Sequence, residues 1–304
     1  MLKLTPDVKS AVENGQPVVV LESTIIAHGM PYPQNLEMAR SVEKAIADKG
    51  VTPATIAIIE GELRVGLNDA ELEKFARDGP NIPKVSTRDI PIVVAKKLTG
   101  ATTVASTMRI AEMAGIAVFA TGGIGGAHKG AETSFDISND LTEFTVSNVA
   151  VVTAGAKAIL DLGFTLEILE TNGVPVVGFG TDDFPAFYSR SSGHKVPMRC
   201  NTAEEVARLM QAKWDLAMPG GIVVANPIPH EAEILGVEIT PAIDKAIAEA
   251  AERKITGKRL TPFLLSRLAQ ITEGRSLKAN IALVLSNARL AADIAKAYAG
   301  LRQQ

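Results

Sequence analysis

The sequence predicts an α/β fold, a largely parallel sheet covered by helices on both faces as an α/β/α sandwich. Three observations carry that prediction. Short runs that are apolar at every position, such as PVVVL at 17–21, IAVFA at 116–120 and VAVV at 149–152, suit strands buried on both faces. Between them stand longer segments whose apolar residues return every three or four positions, the spacing of a helix with one buried face. The two kinds of segment alternate, the order that a parallel sheet with crossover connections requires.

Taken in order, Pro6 to Asn14 reads as a short amphipathic helix opened by proline and closed by Gly15. Pro17 to Leu21 is then a buried strand running into Glu22-Ser23-Thr24. Pro33 to Lys49 places Leu36, Ala39, Val42 and Ile46 on one helical face and stops at Gly50. Thr55 to Ile59 and Glu62 to Leu67 form a hairpin around Glu60-Gly61, and Asn68 to Arg77 a charged helix. KVSTRDIPIVVAKKLTG is a loop and then a helix, Val104 to Ala114 is another helix, and the strand Ile116 to Ala120 ends in the glycine-rich turn TGGIGG. Strands recur at Val149 to Thr153, Pro175 to Gly180 and Gly221 to Asn226. Pro241 to Arg253, Leu260 to Ile271 and Ser276 to Leu301 are helical by period with no strand between them. One domain over 1–304 is expected, with a helical cap or tail from about residue 241.

Composition excludes several function classes. With 31 basic and 34 acidic residues the formal charge is -3, so there is no basic excess to neutralise the phosphates of a nucleic acid. The single cysteine, Cys200, excludes an internal disulfide and a cysteine-based metal cluster. The start, MLKLTPDVKSAVENG, has no apolar signal core, and no apolar run approaches the roughly 18 residues of a membrane span. A cytoplasmic protein with no membrane or nucleic-acid partner is expected.

In an open parallel sheet, ligands sit beyond the carboxyl ends of the strands. Those ends supply Glu22, the Thr121–Gly126 loop, Lys157 and Asn226. Ala154-Gly155-Ala156 reads as the turn from a strand into a helix with Lys157 in its first turn, where the helix dipole disfavours a cation and favours the neutral, nucleophilic amine. An ordinary surface lysine is the other reading. Burial at a strand end favours the protonated carboxyl of Glu22, the form a general acid needs, while a cap on the Ser23-Thr24 turn explains it equally well. TGGIGGAHKGA lacks the G-x-G-x-x-G spacing and has Gly130 where a phosphate-binding P-loop needs Ser or Thr after Lys129, yet its amides can still approach an anion. If extended, the segment FDISND points Asp136, Ser138 and Asp140 to one side, oxygens suited to a hard divalent ion. Leu141 and Ser147 stand where a calcium loop needs Gly and Glu, so a magnesium or manganese site and a plain helix cap both remain open. The histidines at 28, 128, 194 and 230 lack zinc spacing, and no G-x-S-x-G elbow is present.

The segments LESTIIAHGMPYPQN, KVSTRDIP, GATTVAST, FATGGIGGAHKGAETSFDISNDL, VVTAGAKAILDLGFTLEILETNGVPVVGF and SLKANIALV, spread from Val18 to Asn287, closely resemble the pseudouridine-5′-phosphate glycosidase family, also called the indigoidine synthase A family. The resemblance implies reversible cleavage of the C–C glycosidic bond of pseudouridine 5′-phosphate to uracil and ribose 5-phosphate, the activity of a pseudouridylate synthase in the carbon-oxygen hydro-lyase class. It implies Lys157 as the Schiff-base nucleophile on ring-opened ribose and Glu22 as the proton donor. It places Lys84, Val104, Ser138, Asn139 and Asp140 at the substrate, with His128 and Asn280 close by. It further implies one divalent metal, Mn²⁺, on Asp136 and a homotrimer of α/β/α subunits. A class I aldolase-like lyase acting on another sugar phosphate would use the same lysine chemistry, and a phosphosugar-binding regulatory protein would need no catalysis at all.

Overall fold

The computed structural model describes residues 1–255 and 257–303. The chain runs through β1 (Leu2–Leu4), α1 (Pro6–Glu13), β2 (Val18–Leu21), α2 (Thr24–His28), α3 (Gln34–Ala47), β3 (Thr52–Ile59), β4 (Glu62–Val65) and α4 (Asp69–Asp78). It continues through β5 (Lys84–Val85), α5 (Ile90–Ala95), β6 (Gly100–Thr102), α6 (Val104–Met113), β7 (Val118–Ala120), β8 (Ala127–His128), α7 (Ala131–Ser134), α8 (Asn139–Glu143) and β9 (Ala150–Thr153). It ends with β10 (Leu160–Asp161), α9 (Leu162–Thr171), β11 (Val176–Phe179), β12 (Met198–Cys200), α10 (Ala203–Asp215), β13 (Ile222–Ala225), α11 (Gly236–Glu252), α12 (Leu260–Ile271) and α13 (Arg275–Arg302).

The central sheet has the order β1-β4-β3-β2-β7-β9-β13-β11-β12, with β6 on β3 and β5 on β6. Its middle is parallel, and the antiparallel pairs are β3–β4 and β3–β6. β2, β9 and β13 (VVVL, AVVT and IVVA) are buried at every position because helices cover both faces, which is why their sequences do not alternate. The α/β class and the β3–β4 hairpin are therefore as the sequence predicts. No helix among the described residues is long and apolar enough to cross a membrane.

The order of strands locates the crevice. From β2 the chain crosses to β3 on one side and later adds β7 on the other, so the direction of winding switches between β2 and β7. A switch leaves the two strand ends without a crossover helix between them, opening a gap there. Glu22 follows β2, and Thr121 follows β7.

Two expectations are corrected. Lys157 does not start a helix: Asp161 caps α9 by accepting a hydrogen bond from Phe164 N at 2.8 Å, and the first helical residue is Leu162. The segment between β9 and α9 is pinned instead by a parallel bridge between Ala156 and Ile124, so the helix-dipole argument for Lys157 falls away. Nor is the C-terminal region a tail. α13 packs across β2, β7 and β9 and against α3 and α10, burying Leu283, Val284, Ala288 and Ile294 as a full layer of the core. α12 packs on α13, and α11 packs on α12.

Candidate active site

The strand ends open into a cavity of about 400 Å³ lined by Glu22, Lys84, Val104, His128, Asp136, Ser138, Asn139, Asp140, Lys157 and Asn280. With one exception, the candidate residues read from the chain thus meet in one place. The exception is Asn226. It follows β13, but its Nδ2 donates to Ser286 Oγ at 3.1 Å and Asn287 Oδ1 at 2.9 Å, and it lines a separate surface depression.

Glu22 is buried, with 7% of its surface exposed. Thr121 Oγ1 donates to its Oε1 at 2.5 Å, and Thr24 Oγ1 donates to its Oε2. The bond from Thr24 is the local turn contact that the sequence allowed. The bond from Thr121 ties the ends of β2 and β7 together and holds the carboxylate at the cavity wall.

Lys157 is placed by the glycine loop. Its N–H donates to Ile124 O at 3.1 Å, and Ile124 N–H donates to Gly155 O at 3.1 Å, so the chain after β9 runs beside the loop after β7. Gly155 has φ +88°, and a Cβ there would lie 2.2 Å from Pro185 O, so a side chain at this position would force the segment apart. No hydrogen bond or ion pair holds the Lys157 amine among the described residues, and the side chain reaches the cavity.

Asp140 anchors the opposite wall. Oδ1 accepts from Ala105 N at 2.9 Å, in the first turn of α6, and Oδ2 accepts from Gly125 N at 2.8 Å. A Cβ on Gly125 would lie 2.2 Å from Ser138 Oγ and 2.6 Å from Asp140 Oδ2. Glycine therefore lets the loop press against the start of α8. Ser138 caps α8, with Oγ accepting from Asp140 N at 3.2 Å, and Asn139 Oδ1 accepts from Thr87 Oγ1 at 2.7 Å, joining this wall to the segment that carries Lys84.

FDISND is thus not an extended ladder of ligands. α8 begins at Asn139, and the Asp140 oxygens are committed to backbone amides, so the helix-cap reading describes Ser138 and Asp140. Asp136 is different: it is exposed, lines the cavity, and its carboxylate makes no hydrogen bond or ion pair among the described residues. No group of three or more His, Cys, Asp or Glu residues suited to a metal occurs among the described residues. A single open carboxylate still fits a hard divalent ion that keeps most of its waters.

Two histidines face this chamber. Burial pushes His128 below the ordinary imidazole value; Asp136 opposes that shift, while the charges of Lys157 and Lys84 add to it. Burial likewise lowers His28, a hydrogen bond to the Ile82 backbone works against it, and Lys84 adds to the lowering. His28 Nε2 and Asn280 Oδ1 are buried without a partner. Sequence reasoning assigned His28 no role, and its one signal was its nearness to the end of β2. Phe187 and the α12 residues Thr261, Pro262 and Leu265 also line the cavity, and no local pattern marks them.

Known proteins resemble the chain in sequence and in fold. The family model described as indigoidine synthase A like protein matches residues 7–297. The chain is 58% identical over 302 residues to the pseudouridine-5′-phosphate glycosidase of Nocardioides sp., covering 99% of this chain and 98% of that one. It is 55% identical to the enzyme of the same name from Deinococcus radiodurans, covering 99% and 96%. Among solved structures, the prealnumycin C-glycosynthase AlnA, described in complex with ribulose 5-phosphate, superposes with TM-score 0.92 at 39% identity, covering 100% of this chain and 98% of that one. An indigoidine synthase A-like protein from Thermotoga maritima superposes with TM-score 0.88 at 40% identity, covering 97% and 95%. The fold, the cavity and a family match over nearly the whole length agree: the chain belongs to the indigoidine synthase A-like family.

Proposed function

We propose that this protein cleaves the C–C glycosidic bond of pseudouridine 5′-phosphate, reversibly, to uracil and ribose 5-phosphate. The observation that carries the reading is the meeting of an untethered lysine amine, Lys157, with a buried carboxyl, Glu22, in one cavity of a chain whose close relatives bear that activity in their names. AlnA, with the same fold, was described with a phosphorylated sugar, which supports a sugar-phosphate ligand here.

A bond from C1′ to C5 of uracil has no good leaving group, so direct displacement is too slow. The neutral amine of Lys157 attacks C1′, the C1′–O4′ bond breaks, and Glu22 gives its proton to O4′, leaving an open-chain adduct on the lysine. The Glu22 carboxylate so formed takes the proton that the attacking amine sheds on bonding to C1′ and passes it to C5 of uracil, so the C1′–C5 bond breaks while the lysine nitrogen lone pair forms the imine. Water hydrolyses that imine to the aldehyde of ribose 5-phosphate and restores the amine. Covalent catalysis of this kind divides one high barrier into lower ones, and the proton donor contributes roughly 10² to 10⁴ in rate. Lys84, the first turn of α6 at Val104, Ser138 and Asn139 hold the 5′-phosphate, by charge and by N–H groups at a helix start. His128 and Asn280 contact the rest of the substrate.

Asp136, whose open carboxylate lines the cavity, would hold Mn²⁺. An ion held there would supply fixed positive charge and ordered water. The family resemblance supports a homotrimer, and the sequence composition supports a cytoplasmic location. Uracil release from pseudouridine 5′-phosphate, followed with Mn²⁺ and with EDTA, tests the function. Release with the metal supports it, and no release in either condition contradicts it. Borohydride trapping on Lys157 without uracil release would point to an aldolase-like lyase instead.

A further inference from the structure

The glycine loop Thr121–Gly126 measures the cavity from end to end. At Gly122 an added Cβ would lie 3.4 Å from Asn280 Oδ1 and 3.2 Å from Val284 on α13, and at Gly123 it would lie 2.6 Å from the Phe187 ring. At Gly125 the neighbour is Ser138, and at Gly126 it is Thr165 Oγ1 at 2.3 Å. One end of the loop therefore touches the C-terminal layer, and the other touches the wall that leads through Asn139 and Thr87 to Lys84 and Arg88. The second end carries Lys84 and Arg88 and suits a phosphate.

The first end has a different character. α12 turns Leu264 and Leu268, 1% and 0% exposed, toward the core, while Thr261, Pro262 and Leu265 line the cavity. Thr261 and Leu265 are four residues apart and so share a helix face. α12 is fixed against α11 by Arg267, whose guanidinium bonds both oxygens of Glu249 at 2.5 and 2.8 Å, and it packs on α13. The carbon surfaces of Pro262, Leu265 and Phe187 cannot solvate a phosphate dianion but suit the faces of a flat ring. Asn280 on α13 lines the same cavity, only 6% exposed, and its unpaired Oδ1 requires a donor such as a ring N–H.

We propose that α12, through Leu265 and Pro262, is the wall that receives the nucleobase, so that this helix sets which base the enzyme accepts while the sugar phosphate is held from the opposite end. The assignment rests on the C-glycosidase reading. The experiment uses the Mn²⁺-loaded full-length enzyme and measures inhibition of pseudouridine 5′-phosphate cleavage by uracil and, separately, by ribose 5-phosphate. It compares wild type with Leu265→Ala and Leu265→Met.

Loss of the leucine methyls from one face of the ring weakens uracil about 10-fold in Leu265→Ala, while ribose 5-phosphate stays within about two-fold. Leu265→Met, similar in volume, restores most of the uracil affinity. An unchanged uracil constant in Leu265→Ala overturns the assignment, and so does an equal loss of both products. Thermal melting of each variant separates these results from unfolding, with Leu265→Met as the deciding variant where Leu265→Ala melts early: weak uracil binding by a stable Leu265→Met also overturns the assignment. Wild-type enzyme that releases no uracil overturns the C-glycosidase reading itself, and the base wall with it.

Discussion

Thr121 Oγ1 stands 2.5 Å from Glu22 Oε1, so the hydroxyl that ends β7 donates to the carboxylate that ends β2 across the switch point of the sheet. The bond gives Glu22 a structural partner and an address in the cavity. Glu22→Gln should retain the fold and lose roughly 10² to 10⁴ in kcat, because the amide cannot give up a proton. Thr121→Val removes one donor from a buried acceptor and should cost about 1–3 kcal/mol in urea denaturation, with activity falling but not abolished. Glu22→Gln with wild-type kcat would remove Glu22 from the chemistry.

Asp140 acts through two amides that it holds in place. Asparagine keeps one acceptor but turns an NH₂ toward the second N–H, leaving either Ala105 N or Gly125 N unpaired. Asp140→Asn is expected to lose about 1–3 kcal/mol of stability and to bind ribose 5-phosphate more weakly, as the glycine loop moves away from α6. Urea denaturation and calorimetric titration measure the two effects. Wild-type stability in Asp140→Asn would show that the amide contacts matter little.

His28 makes stability depend on pH with a definite sign. Burial, then the neighbouring Lys84 charge, hold its imidazole below the ordinary value, and the bond to the Ile82 backbone opposes them only in part. The unfolded chain therefore takes up the proton first as pH falls below about 6.5, and stability drops until the folded group titrates as well. The melting temperature should fall as pH is lowered from about 7.5 to about 5.5, a window that spans the unfolded imidazole value, and His28→Gln should flatten that slope. His128, shifted in the same direction, leaves a residual slope. A melting temperature that rises over this range in wild type, or a slope unchanged in His28→Gln, contradicts the assignment.

The sheet was legible because burial on both faces writes itself into local sequence: β2, β9 and β13 are valine-rich at consecutive positions and need no long-range information to be found. The candidate residues were legible because strand ends point to one edge and long motifs matched a known family. Lys157 was misplaced because the alanine-rich stretch AKAILD reads as helix. The deciding signals are the cap at Asp161, which starts α9 beyond that stretch, and the pairing of the segment around Lys157 with Ile124. That pairing is a contact between distant parts of the chain. The central position of α13 was hidden for the same reason, since alanine-rich periodicity shows a buried face but not what buries it. α12 carried no chemical motif at all, and its wall exists only once the cavity is assembled.

Lys157 is the central claim, and one comparison tests it most directly: the rate of uracil release from pseudouridine 5′-phosphate by wild type, Lys157→Ala and Lys157→Arg, all with Mn²⁺ and with melting temperatures measured alongside. Neither variant can form an imine, the first for lack of nitrogen and the second because its guanidinium stays charged. Wild type should release uracil, and both variants should fall by at least about 10³-fold without losing their fold. Uracil release by either variant at the wild-type rate would contradict the account.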